Sequence, residues 1–267
     1  MTEYTDHHAP EGLRTRGTVI VVPGRGETRE TYTRLGRRLA ADAYRVRVVD
    51  APDLDADDDL GSQLADFGAR LAAAGDGTAG GNGTGGGTEN GIVRPVVLVG
   101  ADTGALAVAA LVGAADTVTG LRPDAVVLAG LPGRTTGAVD AAGTWDDELD
   151  VRTSCPAHRG RLTDDTRVRR GALGESVPEA LLAAAYGSEA DIPALLLVGD
   201  ADPLADHDAI VRTAKSLPRA RLSTVRGGHH DVLNDLQHRS VAAEIVTFLE
   251  TLRNELVPLI AVETSAW

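Results

Sequence analysis

Hydrophobic residues gather into short aliphatic runs that recur along the whole chain. Five runs are dominated by β-branched or aliphatic residues, and a sixth is weaker. They span residues 18–22, 45–49, 96–100, 125–130 and 194–199, and the weaker one spans 221–225. Apolar runs of this length are typical of strands buried on both faces of a parallel sheet. The pattern therefore predicts six strands.

Segments with helical spacing lie between these runs. They span residues 30–42, 61–74, 104–115, 205–216 and 240–253. In the last segment Val241, Ile245, Phe248 and Leu252 form one apolar stripe, as a helix packed on one side requires. Strand and helix signals that alternate in this way predict an α/β fold, in which helices flank a mostly parallel central sheet.

Two segments interrupt this alternation. Residues 75–91 contain nine glycines among 17 residues, and we expect a flexible surface loop there. A phosphate-binding loop would need the pattern G-x-x-x-x-G-K-[ST] and a following helix. Residues 134–191 are rich in arginine, carry one weak helical segment and are too long for an ordinary connection. We expect them to form a short cap over the carboxyl edge of the sheet, inserted into a core of residues 1–133 and 192–267.

Composition narrows the classes of function. The formal net charge of -13 disfavours nucleic-acid binding, which needs a basic surface. Cys155 is the only cysteine, so no internal disulfide forms. The first residues lack the apolar core of a secretion signal, and no apolar run reaches the roughly 20 residues of a membrane helix. We expect a cytoplasmic protein without membrane or nucleic-acid partners, and homodimer formation stays open.

Arginine has almost replaced lysine in this chain. Lys215 is the only lysine among 26 basic residues. We interpret this bias as the codon usage of a GC-rich, bacterial genome. It carries no information about the chemistry.

A glycine-bracketed turn follows the third strong run. The segment Gly100-Ala101-Asp102-Thr103-Gly104 joins a predicted strand to an alanine-rich helix. Such a turn is sharp and strained, and it lifts its central side chain above the sheet, where the helix N-terminus stabilises negative charge. Its centre carries serine in serine hydrolases, whereas this chain carries Asp102.

Two further groups of chemistry-bearing residues follow later in the chain. Asp200 and Asp202 come directly after the run at 194–199, in the segment G-D-A-D-P. His229 and His230 come after the weak run, in the segment R-G-G-H-H-D-V-L-N-D. An acid that orients a histidine base beside a nucleophile is a recurrent catalytic arrangement.

With these residues the chain resembles the α/β-hydrolase superfamily. P-G-R-G-E after the first run is similar to its oxyanion loop, and G-A-D-T-G is similar to its nucleophile elbow. G-D-A-D-P is similar to the acid loop G-x-x-D-P, which selects Asp202 over Asp200. The histidine segment is similar to G-x-x-H-[DE]-x-L-N-[DE] of monoacylglycerol-lipase-like and lysophospholipase-like members, which selects His230 over His229. The resemblance covers about residues 18–253 apart from the cap, and it implies an α/β-hydrolase fold.

The resemblance also implies a mechanism. Epoxide hydrolases and haloalkane dehalogenases of this superfamily carry an aspartate nucleophile, which forms an alkyl-enzyme ester. Asp102 would be that nucleophile, His230 the base that activates water, and Asp202 its orienting acid. The main-chain N–H groups of Arg25 and Thr103 would form the oxyanion hole. The expected substrate is a small or medium apolar molecule with an epoxide, halide or activated acyl group, and no cofactor is expected.

Several positions differ from those relatives. Pro23 stands where the superfamily usually has a histidine before the oxyanion-loop glycine. Thr103 stands where dehalogenases usually have a halide-binding tryptophan. Epoxide hydrolases usually use two cap tyrosines, whereas the predicted cap holds only Tyr186, and Tyr32 lies near the oxyanion loop.

Other roles for Asp102 stay open at this point. It could position a water for attack on an activated ester, because a carboxylate is a poor nucleophile toward an ordinary ester. The same fold also supports non-hydrolytic biosynthetic enzymes and receptors. The plainest alternative is that Asp102 only caps the following helix.

The cap contains further candidate residues. Cys155 and His158 are three positions apart, which is the spacing of a thiolate pair or of a buried thiol beside a structural histidine. No second cysteine or carboxylate cluster indicates a metal site. We predict Tyr32, His158, Arg159 and Tyr186 as substrate-binding residues. Guanidinium groups of the cap could hold an anionic substrate group or offset the acidic body; they belong to Arg152, Arg159, Arg161, Arg167, Arg169 and Arg170.

Overall fold

The central element of the fold is a seven-stranded sheet. The structure is a computed structural model, and it describes residues 4–54, 59–76, 92–114, 121–134, 143–261 and 263. The strands are β1 (Tyr4–His7), β2 (Gly17–Val22), β3 (Tyr44–Val49), β4 (Val96–Ala101), β5 (Ala125–Ala129), β6 (Ala194–Gly199) and β7 (Ala220–Val225). Their order across the sheet is β1-β3-β2-β4-β5-β6-β7.

The six strands that the sequence predicted are β2 to β7, and they are all parallel. This confirms the α/β architecture. The sequence did not predict β1, which pairs antiparallel with β3 at the sheet edge. Its segment Y-T-D-H is mostly polar, and Asp6 binds Arg45 of β3 with 2.6 Å between Oδ2 and Nη2. An ion pair rather than an apolar run therefore helps to hold the edge strand.

Eight α-helices surround the sheet in the described part of the chain. They are α1 (Thr33–Ala41), α2 (Leu60–Asp76), α3 (Asp102–Gly113), α4 (Trp145–Arg152), α5 (Pro156–Asp164), α6 (Glu179–Tyr186), α7 (His207–Ser216) and α8 (His238–Arg253). The five helices predicted between strands are α1, α2, α3, α7 and α8. None of the helices in the described ranges has the length and apolar character needed to cross a bilayer.

The core has two layers, one on each face of the sheet. Alternate strand residues point to opposite faces, so Ile20 and Leu98 pack with α2, α3 and α6, whereas Val19 and Val97 pack with α1 and α8. Phe248 of α8 is only 5% exposed, as its place in the predicted apolar stripe requires. Burial on both faces explains why the strands read as continuous apolar runs.

The predicted cap contains α4, α5 and α6, together with residues 135–142, which lie outside the described residues. The weak helical signal in the cap corresponds to α6, but α6 packs in the main core against α3. The sequence did not predict α4 and α5. They enclose a small separate core of Leu149, Leu162 and Val168. A capping box between Thr144 and Asp147 begins α4.

The predicted glycine-rich loop at 75–91 lies outside the described residues, except for the end of α2. The carboxyl ends of the parallel strands meet at one edge of the sheet. Ligands bind at this edge in open α/β sheets, and it is the edge that the sequence motifs select.

Candidate active site

The turn between β4 and α3 is a strained elbow. Asp102 adopts a φ of 48°, a left-handed conformation that a residue other than glycine rarely takes. Glycines allow the turn to close. A Cβ on Gly100 would lie 2.7 Å from the Ala105 nitrogen, and one on Gly104 would lie 2.4 Å from the Pro23 carbonyl oxygen. The fold therefore presents the Asp102 carboxylate at the end of β4 against a local backbone preference.

Asp102, His230 and Asp202 meet at this edge of the sheet. They follow β4, β7 and β6, respectively. His230 Nε2 lies 3.2 Å from Asp102 Oδ1, and His230 Nδ1 lies 3.0 Å from Asp202 Oδ2. The Leu204 N–H donates to Asp202 Oδ1 at 2.9 Å and orients that carboxylate. The three side chains are buried and form a continuous carboxylate–imidazole–carboxylate chain.

The two neighbouring candidates, Asp200 and His229, have other partners. Asp200 is exposed and accepts the Gly227 N–H at 2.6 Å. His229 Nδ1 lies 2.9 Å from Asp235 Oδ2. The structure therefore places both of them outside the carboxylate–imidazole chain.

Arg25 binds the elbow carboxylate through its backbone and its side chain. Its N–H donates to Asp102 Oδ2 at 2.8 Å, Nε donates to the same oxygen at 2.9 Å, and Nη2 donates to Oδ1 at 2.8 Å. Its Nη1 donates to the carbonyl oxygens of Leu173 and Glu175 in the cap, at 3.2 and 2.7 Å. The hydroxyl of Thr103 lies 3.5 Å from Asp102 Oδ2. The sequence indicated only a main-chain role for Arg25, whereas its guanidinium also covers the carboxylate and links it to the cap.

The charges of the site balance one another. Burial acts to raise the pKa of Asp102, but the Arg25 guanidinium and the hydrogen bonds from His230 and Arg25 hold that pKa well below its usual range. Burial acts to lower the pKa of His230, but the Asp202 carboxylate and the hydrogen bonds to Asp102 and Asp202 raise it to about 10. A pKa of about 10 favours the imidazolium form of His230 at neutral pH.

Glu27 braces the oxyanion loop. Its Oε2 accepts the Gly24 N–H at 2.9 Å and also accepts the Tyr32 hydroxyl. Glu27 and Tyr32 are both buried. The Glu27 carboxylate therefore ties the backbone of this loop to the buried Tyr32 hydroxyl. The available signal was an acidic residue directly after G-R-G, in a loop that leads away from a buried strand.

A buried network around Arg152 of α4 anchors the cap beside the site. Its Nη2 donates to Glu148 Oε1 at 2.9 Å and to the Arg25 carbonyl oxygen at 2.8 Å, and its Nη1 lies 3.4 Å from Asp231 Oδ1. His158 Nε2 lies 2.9 Å from Asp231 Oδ2. Sequence reasoning missed this network. The i, i+4 spacing of Glu148 and Arg152 was its visible signal.

Glu27, His158 and Asp231 form the group that could hold a metal ion within the described ranges. One ligand atom of each lies within 4.8 Å of the others. The sequence indicated no such cluster, because its two carboxylates come from distant segments. Burial and the Asp231 carboxylate raise the pKa of Glu27 to about 7. A cation here would have to compete with the Arg152 guanidinium and with a proton on Glu27, and we assign no metal to the group.

Two predicted substrate-binding residues, Tyr32 and His158, do not face Asp102. Tyr32 is 1% exposed and His158 is 2% exposed. Their polar atoms are bound to Glu27 and Asp231, respectively. Neighbouring carboxylates already satisfy these two side chains, and their part in substrate binding stays a prediction.

The other two, Arg159 and Tyr186, are also placed elsewhere. Arg159 pairs with Asp150 on the cap surface, with 2.5 Å between Nη1 and Oδ1. The Tyr186 hydroxyl donates to the Pro132 carbonyl oxygen at 3.0 Å. The structure therefore does not bring the four predicted substrate-binding residues together.

Cys155 and His158 do not form a thiolate pair, because the His158 ring is bound to Asp231. Cys155 is buried, and its Sγ lies 3.5 Å from Arg34 Nη1. The main-chain oxygen of Cys155 accepts the His158 N–H at 3.0 Å. The plainer interpretation, a buried thiol beside a structural histidine, describes this arrangement.

Comparison with known proteins identifies one family for this chain and many solved structures with a similar fold. The model of the alpha/beta hydrolase family matches residues 19–244. No curated protein matches the chain. The matched residues include the elbow, the acid loop and the histidine segment.

Solved structures resemble the fold at low sequence identity. Monoacylglycerol lipase from Paleococcus ferrophilus has a TM-score of 0.67 and 17% identity, over 93% of this chain and 98% of that chain. Monoglyceride lipase from Saccharomyces cerevisiae has a TM-score of 0.67 and 15% identity, over 93% and 91%. Est1E from Butyrivibrio proteoclasticus has a TM-score of 0.58 and 13% identity, over 94% of each chain. At these identities the likeness concerns the fold.

Proposed function

The chain belongs to the alpha/beta hydrolase family, and from this premise we propose that it is a cofactor-free hydrolase in which Asp102 attacks the substrate and forms a covalent ester. The proposed substrate is a small or medium apolar molecule with an epoxide or halide group. His230 is the proposed base of the second step, and Asp202 orients it.

The observation that carries the proposal is the different environment of the two Asp102 oxygens. Oδ2 accepts both the Arg25 backbone N–H at 2.8 Å and Arg25 Nε at 2.9 Å, whereas Oδ1 accepts Arg25 Nη2 at 2.8 Å and is the oxygen that lies 3.2 Å from His230 Nε2. A carboxylate nucleophile needs one oxygen held by fixed donors and the other directed toward the substrate. The strained elbow holds the side chain in this orientation, which helix capping alone would not require.

The first proposed step is a displacement at carbon. Oδ1 of Asp102 forms a bond to the substrate carbon, the C–O bond of an epoxide or the C–halogen bond breaks, and the electron pair leaves with oxygen or halide. For this step the Arg25 guanidinium withdraws from Oδ1. It then lies next to the leaving anion and stabilises it, a task that tryptophan or tyrosine performs in the related enzyme classes.

The second proposed step is hydrolysis of the ester. Esterification removes the negative charge of Asp102, so the pKa of His230 falls and its imidazolium gives up a proton, to the alkoxide when an epoxide has opened and to water when a halide has left. The neutral imidazole then takes a proton from a water molecule, which attacks the ester carbonyl carbon. The Arg25 N–H stabilises the oxyanion on Oδ2, the acyl C–O bond breaks, and the His230 imidazolium protonates the leaving oxygen, so that the product leaves as an alcohol. The carboxylic acid formed on Asp102 then gives its proton to His230, which restores the starting ion pair.

A second candidate keeps hydrolysis without the alkyl ester. The two-point contact between Arg25 and Asp102 favours it, because an ion-paired carboxylate is a weaker nucleophile. In this candidate Asp102 positions a water molecule that attacks an activated acyl group, and the Arg25 guanidinium stays in place.

Intact-protein mass spectrometry on His230→Gln separates the two candidates. The variant is incubated with pooled epoxides, alkyl halides and activated esters. The first candidate predicts a mass increase that maps to the peptide containing Asp102, because the ester forms but is not hydrolysed. Unmodified protein, together with wild-type hydrolysis of the activated esters, would support the second candidate.

Matched variants define the controls. His229→Gln removes the neighbouring imidazole, which has no contact with Asp102 or Asp202. The His229→Gln variant should turn over substrate without retaining an adduct. Asp102→Asn in the His230→Gln background should remove the adduct. If wild-type protein consumes no member of the pool and no variant gains mass, both candidates fail for these substrate classes.

A further inference from the structure

A groove of about 290 Å³ lies between the beginning of α1 and the cap helix α5. Its walls include Arg34 and Arg37 of α1, His158 and Arg161 of α5, and Asn234 from the segment after β7. Neither Asp102 nor His230 lines it. The groove is therefore a separate surface from the proposed catalytic site.

The groove carries positive charge that the protein does not neutralise. Within the described ranges, Arg34, Arg37 and Arg161 have no carboxylate partner. Arg34 contacts only the Asn234 carbonyl oxygen and the Cys155 sulfur. Arg37 and Arg161 are exposed and Arg34 is half-buried, and the three guanidinium groups line one concave surface of a chain with a net charge of -13.

The acidic residue of the groove is already paired. Glu30 lies on its wall, and its Oε2 lies 2.7 Å from Nη2 of Arg167, a residue that does not line the groove; the two form an ion pair without hydrogen-bond geometry. Other cap arginines are paired as well, Arg159 with Asp150 and Arg169 with Glu175. Arg161 differs from them in facing the groove without an acid.

A buried donor in the groove also lacks an acceptor. Nδ2 of Asn234 has no hydrogen-bond partner among the described residues, although Asn234 is only 1% exposed. A buried donor left without an acceptor is costly, so such groups usually have a partner. An oxygen with lone pairs would satisfy this donor, and an anion or a water molecule carries one.

Two helices begin at the same groove. Thr33 is the first residue of α1, and Ala157 and His158 lie in the first turn of α5. The Thr33 and His158 N–H groups already donate to the carbonyl oxygens of Glu30 and Cys155, so it is the helix dipoles that add partial positive charge here. The helix ends, the guanidinium groups and the amide all favour an anion and disfavour a cation.

We propose that this groove binds the oxyanion group of a small molecule, a phosphate or a carboxylate. The planar fork of a guanidinium matches both groups through paired hydrogen bonds. A large polyanion is disfavoured because the rest of the chain would repel it. The volume leaves space for the body of a small molecule beyond the charged group.

Isothermal titration of the full chain with inorganic phosphate, and separately with acetate, tests the proposal at constant low ionic strength. Wild-type protein should show saturable one-site binding to at least one of them, and the stronger ligand names the anion class. Arg37→Gln combined with Arg161→Gln should weaken binding at least tenfold. Saturable binding to neither anion would overturn the proposal.

Arg38 provides the matched control. It is the exposed neighbour of Arg37 on α1, it does not line the groove, and within the described ranges it also has no carboxylate partner. Arg38→Gln should leave the affinity unchanged. An equal loss of affinity in Arg38→Gln would show a general charge effect and would overturn the assigned site.

The side-chain amide of Asn234 locates the ligand independently of the arginine variants. Its NH₂ signals in a ¹H–¹⁵N spectrum should shift with the same saturation curve as the heat. Saturable binding that leaves these signals unmoved would place the anion elsewhere. Neither readout depends on hydrolase activity, so this test and that of the proposed function fail or succeed separately.

Discussion

Arg25 and Asp102 form a two-point ion pair at the strained elbow, with side chains that are 9% and 5% exposed. The same guanidinium reaches the cap carbonyl oxygens of Leu173 and Glu175. A buried ion pair is favourable only when its geometry is good and its remaining hydrogen-bonding groups are satisfied, and both conditions hold here. In the proposed covalent mechanism this pair must open before Oδ1 of Asp102 can reach a substrate.

Removing either partner of this pair should be strongly destabilising. Arg25→Gln and Asp102→Asn should each lower the free energy of unfolding by about 3–5 kcal/mol, because each leaves one buried charge without its partner. The double variant should lose less than the sum, with a coupling of about 1–3 kcal/mol. Urea unfolding of the four proteins measures this cycle. Additive losses would show that the contact does not couple the two residues.

The Asp102 carboxylate should also make the free energy of unfolding depend on pH in the acidic range. The pKa of Asp102 is held well below its usual range in the folded protein. The stability that the ionised Asp102 carboxylate contributes is therefore fully present above the pKa that Asp102 has in the unfolded chain, about 3.9. It is lost as the pH falls toward the lower pKa that Asp102 has in the folded protein. The difference in unfolding free energy between wild type and Asp102→Asn should shrink as the pH falls from 5 to 2.

Urea unfolding at several pH values in that range provides the measurement. His230 is protonated in the folded and the unfolded wild-type chain there, so it does not obscure the difference. Arg25→Gln serves as the control, because it removes the largest of the influences that lower the pKa of Asp102, and its own acid dependence should be weaker. If the difference in unfolding free energy between wild type and Asp102→Asn stayed constant from pH 5 to pH 2, it would contradict a lowered pKa of Asp102.

The two elbow glycines should not tolerate a side chain. Gly104→Ala would place a Cβ 2.4 Å from the Pro23 carbonyl oxygen, so the oxyanion loop or α3 would have to move. We expect a loss of about 3 kcal/mol in unfolding free energy. Gly160→Ala in α5 is the control, because its Cβ would meet nothing within 4 Å. Gly160→Ala should raise the free energy of unfolding by up to about 1 kcal/mol, because alanine has a higher helix propensity than glycine. Thermal unfolding of both variants measures the two effects.

The sequence was most informative where one local pattern determines the structure. The strands β2 to β7 are buried on both faces, so nearly continuous apolar runs revealed them. The helices α4 and α5 carry no clear apolar stripe, because a capping box and buried ion pairs stabilise them. Capping boxes and ion pairs produce no hydrophobic periodicity along the sequence, so the sequence did not predict either helix.

The same distinction applies to the candidate site. Short motifs indicated Asp102, His230 and Asp202, and the structure brings these side chains together. The guanidinium of Arg25 reaches a carboxylate 77 positions away, and Arg152 reaches the Arg25 carbonyl across 127 positions. Contacts of this kind depend on how residues 143–191 pack against the rest of the fold, and no short sequence motif indicates that packing.

Two cap arginines should respond very differently to removal. Arg152→Ala would leave the buried carboxylates of Glu148 and Asp231 without their guanidinium, and we expect a loss of about 3–5 kcal/mol. Arg159→Ala removes a surface pair with Asp150, which should cost about 1 kcal/mol or less. Urea unfolding tests both values.

Kinetics with any substrate that the chain hydrolyses complete this comparison. Arg159→Ala should leave kcat and KM unchanged, because its guanidinium lies on the cap surface and has no contact with Asp102 or His230. Arg152→Ala should lower kcat, because the carbonyl oxygen of Arg25 loses the donor that holds the oxyanion loop in place. An increased KM in Arg159→Ala would restore Arg159 as a substrate-binding residue. An unchanged kcat in a folded Arg152→Ala variant would show that the loop keeps its position without this contact.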